Sequence, residues 1–187
     1  ILGSMGTNCY FVIDEESKEC IVVDPADDAN RIYEKINSLN LKLKYIVLTH
    51  GHFDHILGVA GLSAYYGGLP VYMHPADRFT LESNEYFCRY FGAPLPEAFE
   101  TRDVHEPDAE GNVPEGSVPA IEVGGLRFEV IDTPGHTVGG VCYYEPDEKV
   151  LFSGDTLFAG AIGRTDHPGG DYDLLIRGIL EKLMVLD

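Results

Sequence analysis

Thr49-His50-Gly51-His52-Phe53-Asp54-His55 carries three histidines and an aspartate, spaced His-x-His-x-Asp-His. Immediately before it, Tyr45-Ile46-Val47-Leu48 is an apolar run that predicts a buried strand. Immediately after it, Ile56-Leu57-Gly58-Val59-Ala60-Gly61-Leu62 predicts the start of a helix. The polar cluster therefore falls on a turn from a strand end into a helix, where several side chains can converge on one point. Left unpaired beside a buried strand, each such group costs about 1–3 kcal/mol of desolvation. A bound metal offsets that cost, so a metal site is the expectation, with separate surface or core histidines as the alternative.

The chain has 187 residues, enough for one domain with its own core. It opens Ile1-Leu2-Gly3, without an initiator Met, and closes Leu183-Met184-Val185-Leu186-Asp187, where an apolar strand is expected to begin. The single domain expected over 1–187 thus reads as trimmed at both ends. A net charge of −18 disfavours nucleic acid and anionic membrane surfaces as partners, and otherwise reads as solubility. No apolar run approaches the roughly 20 residues of a membrane span, and there is no signal-peptide pattern, so a cytoplasmic location is expected. Cys9, Cys20, Cys88 and Cys142 form no Cys-x-x-Cys pair. Reduced, buried thiols are the expectation, with a Cys9–Cys20 disulfide across a hairpin as the alternative.

Taken in order, 7–13 and 19–23 predict a strand hairpin around Asp14-Glu15-Glu16-Ser17-Lys18. Asp27 or Asp28 is suited to cap a helix carrying Ile32, Ile36 and Leu39. A strand over 69–73 leads to His74-Pro75 and another helix, whose apolar side is expected to carry Phe79, Tyr86, Phe87, Tyr90 and Phe91. Tyr86, Phe87, Tyr90 and Phe91 read as core, with a lid over the metal site as the alternative. From 92 to 119 the composition predicts a long loop bordering a substrate site, in which His105 reads as solvated. Later strands over 126–131 and 149–152 end in Asp132-Thr133-Pro134-Gly135-His136-Thr137 and Ser153-Gly154-Asp155-Thr156. A last helix begins near Asp171. Potential ligands thus recur on strand ends, at Asp24, His50 to His55, His74, His136 and Asp155, which implies one rim of a sheet assembly.

Thr49 to His55, then Thr133-Pro134-Gly135-His136-Thr137, then Ser153-Gly154-Asp155-Thr156, in that order, resemble the metallo-β-lactamase superfamily. Within it the chain is similar to the glyoxalase II-like hydrolases. The resemblance implies an α/β (α+β) fold, a four-layer αββα sandwich with the metal site at one edge. It also implies that His50, His52 and His136 hold a first metal, that Asp54 and His55 hold a second, and that Asp155 bridges the two. Asp24 corresponds to an early aspartate that supports the ligands, with a turn or capping aspartate as the alternative reading. His74 corresponds to a supporting histidine. The family's further histidine after the final helix has no counterpart before Asp187, and His167 reads as a surface or lid residue rather than its substitute. No helical C-terminal domain of the glutathione-specific enzymes is present in these residues.

Imidazole and carboxylate donors suit two divalent ions, zinc first, then iron or manganese. A bound ion lowers the pKa of its water to about 7, so hydroxide is available at neutral pH to attack an acyl carbonyl. Asp54 would orient that hydroxide, and Arg164 would hold a substrate carboxylate or pair with Asp166. The leading expectation is a metal-dependent hydrolase of small thioesters or esters. The alternatives are a mononuclear-iron persulfide dioxygenase, using His50, His136 and Asp155, and a binding or regulatory protein with an incomplete site.

Overall fold

The computed structural model describes residues 1–105 and 120–186. The remainder of the expected 92–119 loop, 106–119, lies outside the described residues. Strands β1 (Tyr10–Ile13) and β2 (Glu19–Val23) pair antiparallel, as the hairpin pattern predicts. Helix α1 (Ala29–Ser38) follows, and Asp28 is its N-cap, accepting the Arg31 backbone N–H. Strands β3 (Lys42–Val47), β4 (Val71–Met73) and β5 (Arg102–Asp103) then add in parallel to β2, giving the order β1-β2-β3-β4-β5. The crossovers carry the short helices α2 (Phe53–Ile56) and α3 (Val59–Tyr65), then a 3-10 turn over Pro75–Asp77 and α4 (Arg78–Phe91). Strand β5 lies inside the stretch expected to be loop.

The second sheet is antiparallel, with β6 (Ala120–Val123), β7 (Leu126–Asp132), β8 (Val141–Glu145) and β9 (Val150–Phe152) in chain order. A small hairpin of β10 (Leu157–Phe158) and β11 (Ala161–Ile162) leads to α5 (Tyr172–Gly178), capped by Asp171 and continued by a π-type turn over Ile179–Leu183. Residues 184–186 follow as a turn rather than as the strand expected there, because Met184 N–H closes onto the Ile179 carbonyl and extends the helical end.

The alternation of side chains along the strands sorts the core into layers. Ile21 and Val23 face Ile121, Phe128, Val130 and Tyr143 between the two sheets. Cys20 and Val22 face the other way, onto Ile32, Ile36, Ile56 and Leu62 of the helices. Strand β3 has one extra residue, since Cys20 pairs with Leu43 but Ile21 with Tyr45, and this bulge lets Leu43 and Ile46 share the helical face. Leu175, Ile179 and Leu183 cover the outer face of the second sheet against Cys142. The result is helix, sheet, sheet, helix, the four layers that the resemblance implies. Burying each such aliphatic side chain contributes about 1.5–3 kcal/mol.

Helix α4 corrects one expectation. Its inward positions are Thr80, Asn84, Phe87 and Cys88, while Phe79, Tyr86, Tyr90 and Phe91 are exposed, Tyr90 at 71%. Of the aromatics expected in the core, Phe87 alone is buried. The polar stripe turns inward because the backbone of the neighbouring histidine loop needs partners there.

Candidate metal centre

Parallel strands β2, β3, β4 and β5 end at one rim, and antiparallel β7 and β9 end there too. The segments that follow them bring Asp24, the 49–55 loop, His74, His105, His136 and Asp155 to the same edge. The 49–55 loop is bound on both sides. Tyr143 donates from its hydroxyl to the Leu48 carbonyl at 2.7 Å, and Val141 N–H donates to the Thr49 carbonyl at 2.9 Å. Gly51 N–H donates to Asp77 at 2.5 Å, Phe53 N–H donates to Asn84 at 2.9 Å, and the Asn84 amide donates to the Gly51 carbonyl at 2.8 Å. Asp77 is fully buried and also accepts the Gly139 N–H at 2.8 Å and the Thr80 hydroxyl at 3.0 Å. One carboxylate thereby ties the loop of His50 and His52 to the loop that follows His136.

The second loop owes its shape to Gly135, whose φ of 132° is closed to other residues and whose Cβ would lie 2.4 Å from the Leu175 nitrogen of α5.

Two sets of candidate ligand atoms result, one from His50, His52 and His136, the other from His50, His55 and Asp155; within each, the atoms lie within 4.8 Å of one another. His52 Nδ1 is 3.0 Å from His136 Nε2. Asp155 reaches both groups, with one oxygen 3.3 Å from His55 Nε2 and the other 3.5 Å from His136 Nε2. Asp54 lies beside the second set, 3.8 Å from His55 Nε2, with its carboxylate accepting the Thr7 hydroxyl at 2.7 Å.

Hydrogen bonds behind the imidazoles fix their tautomers. Asp24 accepts the Thr49 N–H at 2.8 Å, the Thr49 hydroxyl at 2.7 Å and His55 Nδ1–H at 2.9 Å. Because the Thr49 hydroxyl donates to Asp24, its oxygen is left to accept His50 Nδ1–H, 3.0 Å away. His136 Nδ1–H donates to the Arg164 carbonyl at 2.8 Å. The Nε2 lone pairs of His50 and His136 therefore face the site, as does the Nε2 atom of His55. Buried His50 Nε2 and His52 Nε2 have no hydrogen-bond partner, a state that costs about 1–3 kcal/mol per group unless an ion or ligand completes it.

Electrostatics agree with this donor set at His50, His52 and His136. Burial, helped by the neighbouring histidines, holds His50 and His52 well below the ordinary histidine pKa. Burial also lowers His136 against the opposing pull of Asp155. Neutral imidazoles are the form that binds metals. Burial opposes charge on His55, yet Asp24 and Asp155 outweigh it and raise its pKa well above the ordinary value. Burial likewise opposes ionisation of Asp155, but the hydrogen bond and charge of His55, with the charge of His136, bring its carboxyl below the usual range. Nitrogen and oxygen donors of this kind fit divalent zinc, iron or manganese.

Other sequence candidates fall elsewhere. His74 touches neither set; its Nδ1 accepts the Ala76 N–H, and it joins His105 and Asp132 in a third cluster. His105, read as solvated, is half-buried because both ring nitrogens face carboxylates, Asp103 at 3.2 Å and Asp132 at 2.9 Å. The Arg164 guanidinium makes a two-pronged pair with Asp166 at 2.8 and 3.0 Å on the surface, the second of its two sequence readings. His167, read as a surface or lid residue, is half-buried with its ring 5.0 Å from that of His52 and 5.1 Å from that of His136. Asp77, Asn84 and Thr7 were not legible as site residues. The one signal was Asp77, Thr80 and Asn84 at helical spacing, an uncharged or acidic stripe on a helix that packs beside the motif.

The family model described as the metallo-beta-lactamase superfamily matches residues 2–186. The chain belongs to the metallo-β-lactamase superfamily, a metal-binding fold of metallo-hydrolases. It is 38% identical over 180 residues to the hydroxyacylglutathione hydrolase GloC of Haemophilus influenzae, covering 96% of this chain and 80% of that protein. It is 41% identical over 188 residues to an uncharacterized protein of Aquifex aeolicus, covering 99% and 82%. Among solved structures, the BLEG-1 B3 metallo-β-lactamase superposes with a TM-score of 0.84 at 35% identity, over 100% of this chain and 84% of that one. The di-iron-bound form of TTHA1623 superposes with 0.79 at 32% identity, over 98% and 84%. ETHE1 from Myxococcus xanthus superposes with 0.69 at 25% identity, over 97% and 66%. Among the described residues, no helix is long and apolar enough to cross a membrane.

Proposed function

We propose that this protein is a glyoxalase II-like hydrolase of small thioesters or esters that works with two divalent ions, zinc first among them. The observation that carries the reading is Asp155, whose two oxygens face His55 on one side and His136 on the other, so that one carboxylate stands between the two donor sets. In this reading His50, His52 and His136 would hold the first ion, Asp54 and His55 would hold the second, and Asp155 would serve both. Such ions supply Lewis-acid activation of water and of the acyl carbonyl.

The protein's own groups do the rest. Asp24 orients His55 directly and His50 through Thr49. Asp54, held by the Thr7 hydroxyl, is placed to accept a hydrogen bond from the attacking water and so aim it. A cavity of about 420 Å³ lined by Thr7, Asp54, His55, Asp155, Leu157 and Phe158 gives a small acyl compound access to this edge. The reading needs no cysteine nucleophile, and burial pushes the thiols of Cys142 and Cys20 up to about 11. The 38% identity to a protein named as a hydroxyacylglutathione hydrolase supports a thioester as the substrate class.

The test is elemental analysis of protein purified without added metal, together with hydrolysis of a panel of acyl thioesters. About two ions per chain and turnover support the proposal. One iron per chain with oxygen uptake replaces it with the persulfide dioxygenase reading. A chain that holds no metal overturns it.

A further inference from the structure

We propose that Thr7 is a positioning residue for the second ion: its hydroxyl holds Asp54 ready for that ion, so that the turn over residues 2–7 sets how firmly the second ion is kept, separately from the first. This rests on the reading above, in which Asp54 and His55 would hold the second ion, and adds a control on that position alone.

The contact comes first. The Thr7 hydroxyl donates to Asp54 Oδ2 at 2.7 Å, across 47 positions of sequence. That oxygen is also the one 3.8 Å from His55 Nε2. Among the described residues the Asp54 carboxylate accepts no other hydrogen bond. One bond to one oxygen fixes the side chain and leaves lone pairs on both oxygens for an ion. Without that bond the carboxylate is free to turn, and an ion must order it on binding.

The turn that carries Thr7 is itself braced. Leu2 and Thr7 pair through both backbone groups, Leu2 N–H to the Thr7 carbonyl at 2.9 Å and Thr7 N–H to the Leu2 carbonyl at 3.1 Å. Gly3 and Gly6, at φ of 66° and 72°, take the left-handed backbone that closes it. On either side of Thr7, Leu2 and Cys9 pack against the core between the first sheet and its helices. The hydroxyl is therefore presented to Asp54 from a fixed position.

The other candidate ligands do not share this support. His50 is backed by the Thr49 hydroxyl, His136 by the Arg164 carbonyl and His55 by Asp24. The backbone of the 49–55 loop is held by Asp77 and Asn84. None of these bonds involves residues 2–7, so removal of the Thr7 hydroxyl acts through Asp54. A hydrogen-bond partner behind a metal ligand is worth about 10–100-fold in metal affinity. Loss of this one therefore separates the two ion positions, weakening the one that Asp54 serves.

The experiment titrates metal-free protein with zinc in competition with a chromophoric chelator, for the wild type, Thr7→Val, Thr7→Ser and Asp54→Ala. Valine keeps the shape of threonine and removes the donor; serine keeps the donor. The wild type should take up two ions, and the step that Asp54→Ala weakens identifies the second. Thr7→Val should weaken that same step by at least about tenfold and leave the other in place, and Thr7→Ser should recover most of the loss. A weakening below about tenfold, an equal weakening of both steps, or a Thr7→Ser protein as weak as Thr7→Val overturns the assignment. Should Thr7→Val fail to fold, Thr7→Ala removes the same donor and is judged in the same way. Thioester turnover is measured on the same wild-type protein. Two ions without turnover overturn the hydrolase reading, and Thr7 is then judged on the two binding steps alone. A wild type that takes up a single ion overturns both.

Discussion

Asp77→Asn is the change that most directly tests how this site is built. Asp77 is fully buried, and three donors converge on it: Gly51 N–H at 2.5 Å on one oxygen, Gly139 N–H at 2.8 Å and the Thr80 hydroxyl at 3.0 Å on the other. Asparagine has the same shape, but its NH2 must replace one of those oxygens. On the Gly51 side, two N–H groups then face each other without water. The lost bond to a charged acceptor is worth about 1.5–3 kcal/mol, and the stranded donor costs about 1–3 kcal/mol more. A total of about 3–5 kcal/mol is a large part of the stability of a domain this size, about 5–15 kcal/mol. It corresponds to a fall of about 6–20 °C in Tm. The assay is thermal or urea unfolding of chelator-treated protein, so that bound metal does not mask the change. The same substitution loosens the link between the His50–His52 loop and the loop after His136. Competition with a chromophoric chelator should therefore show metal held about 10–100-fold more weakly. A Tm within about 3 °C of wild type, with unchanged metal retention, would refute the reasoning.

His52→Ala and Asp155→Ala should each abolish thioester turnover and lower the metal content per chain, read by elemental analysis; retained turnover in either variant sinks the proposed mechanism. Chelation of the wild type should lower Tm, because an ion present at about 1,000 times its Kd adds about 4 kcal/mol to the folded state; differential scanning calorimetry with and without chelator reads this directly. Burial pushes the Cys9 thiol up to about 12 and those of Cys20 and Cys142 up to about 11. With pKa values this far above about 8.5, little thiolate exists at pH 8, so these three should react with a thiol reagent at least about 100-fold more slowly in native protein than in urea. Fast native labelling of more than one thiol contradicts that burial.

The sequence alone determined whatever depends on neighbours along the chain. The apolar run of Glu19–Val23 and the alternation in Leu126–Asp132 mark strands, and Asp28 and Asp171 mark helix starts, because strand pleat and helix capping are local rules. The spacing from His50 to His55 and the turns at His136 and Asp155 carried the chemistry and the family together. Tertiary structure decided the rest. Asp77 acts on Gly51 and Gly139, 26 and 62 positions away, and no local pattern encodes a partner at that distance. Helix α4 shows its polar stripe to the core rather than its aromatics because Gly51 and Phe53 carry backbone groups that only Asp77 and Asn84 can satisfy. The same holds for His167: its residue type was plain in the sequence, but the burial of its Nε2 exists only once the loop closes against His52, His136 and Phe87.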